Sequence, residues 1–584
     1  MWQYVFRLVR RQPGKSMLAS SGFLLAACAL VLLSATTQTT VVQANQIISQ
    51  NWRSTYDLVV LSPQAKITSK NTIPDDLMEG YDGGISLQQY QQIEKLPGVE
   101  VAAPIAYIGY VQMPIPELQF FKQPLPTGFY RINLTVTAFN GERQLTEHTL
   151  TQIYYHLASC DPPQPSTAEI DAWDSKGIYF ECGIDSTFFY GLTPPIDTGT
   201  FLLAAIDPTA EDQLVHLDKN ITSGRMLTPQ DTIHVNKNPS LDRAFDCPNG
   251  DYTDLSKCRQ IPNLDLPVLF HTQLPGQATM KGQFTIVSTG TLTPQTVVNR
   301  GGLTYLTHLP TQQTLFDGVV PIVQNDPQRF SVSDLALNGN SWQPYTPIYG
   351  LDPYTASLRF LYAPSSLSYQ PATSPDGSSA YSLVPDGVQG PEVTFRALNS
   401  LHIAEITRSK GTFALPKAFY FFNPVGQFTG GTLAAQFSNP LNWLPENTYT
   451  SPPTTLRYDA QGNPITPTNL LPTTNTAGFI LQPPLALTTL DAAVKLRGDH
   501  VISAIRIRVS GVDAANSASW QRVQQVAALI HERTNLQVLV TLGSSPRPTL
   551  VYVPGVSKGQ LGATQNVAPV GWVEERWITI GASI

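Results

Sequence analysis

Charge is scarce in this chain. Only 14 % of its 584 residues are Asp, Glu, Lys or Arg, and the formal net charge is −7. Lys and Arg form no cluster able to repay the cost of desolvating phosphates, which excludes nucleic acid as a partner. Nucleotide hydrolysis through a P-loop is excluded as well, because no G-x-x-x-x-G-K-[ST] run occurs. His531-Glu532 begins like a zinc helix but lacks the second His four residues on, so H-E-x-x-H is absent. The nine histidines are scattered, and core or surface positions are the default for each. No motif implies a cofactor.

Cysteine is also scarce. Of five, Cys28 falls in an apolar N-terminal run, leaving Cys160, Cys182, Cys247 and Cys258. Four cysteines in an oxidising compartment read as a disulfide framework with three possible connectivities, and proximity favours Cys160–Cys182 and Cys247–Cys258. Zinc is the alternative, but no pair has knuckle spacing and no His sits suitably close.

Pro and Gly, by contrast, are plentiful at 48 and 40, which predicts many turns and short strands rather than long helices. The apolar share of 42 % suffices for a packed body, and the length predicts two or more subdomains. Arg7, Arg10, Arg11 and Lys15 precede an uncharged run over 16–35 containing Phe23, Leu24, Leu25, Leu30, Val31, Leu32 and Leu33. About 20 such residues span a bilayer as a helix. The basic flank places the N-terminus in the cytoplasm and the body outside. A cleaved secretory signal is the competing reading, but Val42-Gln43-Ala44, its best cleavage site, lies far beyond the apolar run. Both readings put the body outside.

Beyond the run, a Pro- and Gly-free stretch reads as a helical stalk. YDLVVL (Tyr56–Leu61) then reads as a strand, Ser86 as the N-cap of LQQYQQIEKL, and VEVAAPIAYIGYV as a second strand. The pattern returns near the C-terminus. Val501–Val509 alternates as a half-buried strand should, and Ser517 or Ser519 can cap a helix with Val523, Val526, Ala527 and Ile530 on one stripe. Asn535 breaks that helix before the strand LQVLVTL. Two βαβ units bracketing a long insertion predict one α+β subdomain assembled from both ends of the body. The insertion itself reads as mostly β, from FLLAAID, LPVLF, GQFTIVSTG, EVTFRAL and AFYFF. The predicted fold class is therefore α+β: one N-terminal transmembrane helix and a split βαβ-type membrane-proximal subdomain with a large mostly-β insertion. The division is a cytoplasmic basic tail (1–15), the transmembrane helix (16–35), the stalk (36–55) and the first half of the subdomain (56–115). The insertion (116–490), the second half (491–545) and a return toward the membrane (546–584) complete it. The apolar end ITIGASI reads as the beginning of a second spanning segment.

Two patterns tempt a catalytic or metal reading. Gly555-Val556-Ser557-Lys558-Gly559 matches G-x-S-x-G, but GQLGATQNVAP after it is no helix start, which leaves a surface loop. Asp246, Asn249, Asp251 and Asp254 could offer oxygens to calcium, though not at EF-hand spacing and without a distal Glu.

Several stretches together resemble a known family. The basic tail, helix and stalk, then YDLVVL and ISLQQYQQIEKLPGVEVAAPIAYIGYV, resemble the start of a MacB/FtsX-type ABC-transporter permease. FLLAAIDPTAEDQLVHLDKNITSGRML resembles that family's strand, Asp-Pro turn, short helix and Gly-Arg step. LPVLF resembles the strand that follows, and Ile505–Pro548 with WVEERW resembles the approach to the second membrane helix. The likeness is a pattern over most of the chain, weakest over 290–480, and the three later membrane helices of the family are missing. It implies a permease subunit at the cell membrane, driven by a separate cytoplasmic ATPase and working as a homodimer or paired permease in membrane lipid. Its outer domain would grip a substrate or partner and would not be an enzyme. On this reading Gln43 and Trp52 of the stalk, with Trp572 and Trp577, are the membrane-proximal coupling candidates and lie near one another. The alternatives are a membrane-anchored or secreted β-rich binding module without a transport role, and an exported hydrolase.

Overall fold

The computed structural model describes residues 14, 21, 52–65, 72–73, 83–112, 126–139, 141, 144–158, 165–182, 200–235, 245–246, 255–260, 262–272, 277–289, 292–320, 362–389, 392–400, 419–430, 448–450, 454–459, 461–472, 477–542, 547–554 and 576–583. Among these, the architecture is mixed α+β with sheets dominating.

The main path of the largest, twelve-stranded sheet runs through strands β1 (Leu58–Leu61), β2 (Val99–Gln112), β3 (Thr200–Ile206), β4 (Ile221–Gly224), β5 (Asn263–His271), β6 (Phe419–Phe428), β7 (Ala486–Thr489), β8 (Ala504–Val509) and β9 (Gln537–Val540), with three short strands pairing off it. Four helices accompany it: α1 (Leu87–Glu94), α2 (Pro208–Val215), α3 (Leu490–Arg497) and α4 (Ser517–Thr534). The strand order is β9-β1-β8-β2-β3-β7-β5-β6-β4. At one end, β1-α1-β2 and β8-α4-β9 interleave so that every neighbour is antiparallel, with Leu58 opposite both Ile507 and Val540. This is a split βαββαβ arrangement, and its two halves come from opposite ends of the body. Strands from within 116–490 (β3 to β7) continue the same sheet.

Local chemistry explains the helices. Ser86 accepts from the N–H of Gln89, whose side chain returns to the Ser86 backbone, a complete capping box. The cap of α4 is Asn516 rather than Ser517 or Ser519. Its extended backbone (φ −139°) aims the amide oxygen at the Ser519 N–H, at 2.9 Å, and both serines fall inside the helix. Asn535 ends α4 in the left-handed region at φ 55°.

The sheet has a core on each face. On one, α1, α3 and α4 bury Ile93, Leu496, Val526 and Ile530 against Leu58, Val60, Ile505 and Ile507. On the other, α2 buries Ala210, Leu214 and Val215 near Val59, Val101, Ala103, Ile105 and Ala204. The expectation of a half-buried β8 therefore needs correction: the face carrying Arg506 is also closed, because α2 covers it, and Arg506 is only 3 % exposed. At Tyr107/Gly109 the register of β2 against β3 shifts. Arg497 at the end of α3 donates to the Tyr107 and Ile108 carbonyls there, at 3.3 and 3.0 Å.

Among the described residues, two further large sheets and two two-stranded ladders accompany the largest sheet. In a five-stranded one the order is 313–320, 277–289, 128–139, 144–157, 178–182, with a core around Phe129, Trp173, Val287 and Leu306. A seven-stranded one has the order 369–373, 379–383, 547–553, 576–583, 454–458, 464–470, with 72–73 beside 576–583. Here the expectation of a spanning segment beginning at ITIGASI is overturned. Arg576–Ser583 is a strand, paired antiparallel with Arg547–Val553 on one side and Thr454–Tyr458 on the other. The β-branched run Ile578-Thr579-Ile580 suits that ladder. Among the described residues no helix is long and apolar enough to cross a membrane. The apolar run over 16–35, save Ser21, and the stalk before Trp52 lie outside the described residues.

Candidate functional site

The point where the chain joins the large sheet is the most heavily tied polar site. Trp52 packs, partly buried, against the core under α1, α3 and α4. Next to it, the guanidinium of Arg53 donates from Nε to Asp57 Oδ1 at 3.1 Å and from Nη2 to Asp57 Oδ2 at 2.8 Å, a two-pronged fork on one carboxylate. The Val509 N–H gives Oδ2 a third bond, at 2.8 Å. Asp57 is fully buried, so this carboxylate has exchanged water for those three donors. Arg53 also donates to the carbonyls of Val509 and Val512, at 2.6 and 2.8 Å. Arg508 donates to the Thr55 carbonyl at 3.3 Å and sits 3.7 Å from Glu100, which also lies 3.9 Å from Arg53. Finally, the Asp57 carbonyl accepts from the N–H groups of Thr541 and Leu542. One short segment, 53–57, thus ties together the first strand, the end of β8 and the exit from β9.

A second polar cluster lies under α2. Glu211, fully buried, accepts from the Tyr449 hydroxyl on one oxygen and from the Arg506 guanidinium on the other. The Tyr449 carbonyl lies 3.1 Å from His271 Nε2, and its ring meets Phe428 edge-on at 5.7 Å. At the start of α2, Asp207 caps the helix through the N–H groups of Thr209 and Ala210, both at 3.0 Å. Asp207 also accepts from the Tyr90 hydroxyl of α1 at 3.1 Å. Burial, then the charges of Asp207 and Glu94, push the Tyr90 phenol far above its ordinary range, so it stays a donor.

Of the coupling candidates, Trp52 stands at the first site, while Gln43 and Trp572 lie outside the described residues. Trp577 sits on the strand Arg576–Ser583 opposite Tyr552 and Tyr458, in a different sheet from β1, so no strand pairing joins it to the Trp52 segment. Cys160 and Cys247 lie outside the described residues. Cys182 is opposite Leu157 in a parallel ladder, three residues short of Cys160 in the sequence. Cys258 directly precedes Arg259, which pairs with Asp246 in a two-stranded antiparallel ladder. Asp246 belongs to that ladder; Asn249, Asp251, Asp254 and Ser557 lie outside the described residues. Among the described residues no group of three or more His, Cys, Asp or Glu could hold a metal ion. His531 has its Nδ1 2.7 Å from the Leu536 carbonyl, where it closes the end of α4.

Sequence reasoning passed over Arg53, Asp57, Glu211 and Tyr449. Arg506 left a trace, as an arginine inside an apolar alternation, but its partner is 295 positions away. Compared with known proteins, the chain matches no family model, no curated protein and no solved structure. In both polar sites a buried carboxylate is paired with an arginine, an arrangement that holds the joined elements in register.

Proposed function

We propose that the chain is the extracytoplasmic domain and first membrane helix of an ABC-transporter permease of the MacB/FtsX type. It grips a substrate or partner outside the cell membrane and is driven by a separate cytoplasmic ATPase, as one of two paired permeases. The N-terminal tail is cytoplasmic, the run over 16–35 spans the bilayer, and the body lies outside with Cys160–Cys182 and Cys247–Cys258 joined. The observation that carries this reading is the split unit: β1-α1-β2 and β8-α4-β9 share one sheet, tied at Arg53. A chain that leaves a membrane and later returns to it must keep those two segments together, and a stroke delivered through a stalk would arrive at Trp52 and Arg53.

The test is membrane topology with partner capture. In membranes carrying the full chain with Cys28→Ser, a cysteine at Arg10→Cys should resist an impermeant maleimide while one at Gln461→Cys reacts. Crosslinking should then retrieve an ABC-class ATPase. Labelling of both positions, or failure to retrieve an ATPase from membranes where the topology holds, defeats the reading.

A second reading draws on the pairing of Arg576–Ser583 inside a sheet, which favours a membrane-anchored or secreted β-rich binding module. Sequencing the coding DNA past codon 584 bears on both. About three further apolar stretches of about 20 residues would support the permease, and an immediate stop codon would leave the module or one half of a split permease.

A further inference from the structure

Helix α2 is a strap across the face of the sheet opposite α1, α3 and α4. It is only eight residues long, and a helix of that length does not hold itself in water. Both of its ends leave helical geometry: Asp207 is extended and His216 is left-handed at φ 55°. The helix buries Ala210, Leu214 and Val215 in a core that holds Val59, Val101, Ile105 and Phe428 beside the small Ala103, Ala204 and Ala504. Within that packing sits a buried carboxylate on the strap, Glu211, held by Arg506 from β8 and by the Tyr449 hydroxyl. Arg506 belongs to the split unit, whereas Glu211 and Tyr449 come from the long middle of the chain, so the contact joins the two parts. The core beneath α1, α3 and α4 lies on the other side of the sheet and shares no residue with this one, although the Tyr90 hydroxyl of α1 reaches Asp207 at the start of α2.

We propose that the Arg506–Glu211–Tyr449 contact is a lock that holds α2 shut over the split unit, and that releasing it frees α2 while the sheet and the helices on its other face stay folded. Breaking one member leaves an uncompensated buried charge, which is far costlier than removing both partners together. The lock is therefore two-state in character: complete, or open with α2 displaced and both charged groups in water. The inference holds whether or not the chain transports anything.

Hydrogen exchange on the full chain tests it. In Arg506→Met, the helical amides of Glu211 and His216, which donate to Asp207 and Asp212, should lose about a hundredfold or more of their protection. The amides of Val526–Thr534 in α4 should change by less than about threefold. In the double variant Glu211→Leu with Arg506→Met, protection of α2 should return to within about tenfold of the parent. Unchanged α2 exchange in Arg506→Met, equal loosening of α4, or no recovery in the double variant overturns the lock. Should Arg506→Met fail to fold, Tyr449→Phe removes only the hydroxyl. It should then loosen α2 alone by about fivefold, and an absent or uniform effect refutes the proposal.

Discussion

Replacing Arg53 with Met removes two of the three N–H donors on the Asp57 carboxylate and leaves the Val509 N–H as the remaining one. Methionine keeps much of the apolar stem, so the loss is chiefly electrostatic. Hydrogen bonds to a charged group are worth about 1.5–3 kcal/mol each, and orphaning one partner of a sealed buried pair costs about 3–5 kcal/mol. Arg53 is 14 % exposed, so water can reach part of the vacated space, which brings the expected cost to about 3 kcal/mol. Local reporters exist: the Val509 N–H donates to the carboxylate, and the Thr541 N–H donates to the Asp57 carbonyl. Native-state hydrogen exchange at these two amides should accelerate by about a hundredfold in Arg53→Met. Arg53→Lys should lose about two-thirds as much, since an ammonium cannot span both carboxylate oxygens and the Val509 and Val512 carbonyls at once. Asp57→Asn keeps an acceptor for Val509 and should cost about 1–2 kcal/mol, with strong coupling to Arg53→Met in the double variant. Acceleration below about twofold in Arg53→Met, or simple additivity of the two substitutions, would show that the pair does not hold the segment.

Three further outcomes are expected. At Asn535, the left-handed end of α4, Asn535→Gly should be nearly neutral, whereas Asn535→Val should cost about 1–2 kcal/mol in thermal or urea unfolding. Burial raises the Asp231 pKa, but the Arg225 guanidinium and the Thr228 N–H and hydroxyl outweigh it and hold the group below the usual carboxylate value. The stability this contributes is present above the unfolded pKa and is lost as pH falls through the folded one. The urea midpoint of Arg225→Met should therefore trail the parent at pH 6, and the gap, which solvent screening keeps small, should close in strong acid. Peptide mapping without reduction should find Cys258 joined to Cys247 and Cys182 to Cys160; free thiols at all four would remove the disulfide framework.

Much of the split unit could be read locally. The capping box at Ser86, the stripe Val523–Val526–Ala527–Ile530 and the stop at Asn535 depend on neighbours within one or two turns. So do the strand characters of YDLVVL and AIRIRV. Even the meeting of the two ends followed from repetition of one strand–helix–strand pattern. The cap of α4 shifted to Asn516 because which of several adjacent polar residues takes the cap depends on the path of the incoming loop. The strand at Arg576–Ser583 was misread because an apolar, β-branched run reads alike at the start of a membrane helix and inside a sheet; its partners at 454–458 and 547–553 choose between them.

Within each element, then, the sequence by itself determined period and breaks, since these rest on contacts a few residues apart. Only the tertiary structure decided which faces were closed and which charges met. Arg506 is a polar-face arginine until α2 covers it and supplies Glu211, and Asp57 is an ordinary strand-edge acid until Arg53 reaches past it to Val509 and Val512. The physical reason is that a charge can be buried only where its counter-charge and remaining donors arrive together, and here those come from segments hundreds of residues apart, which no local pattern records.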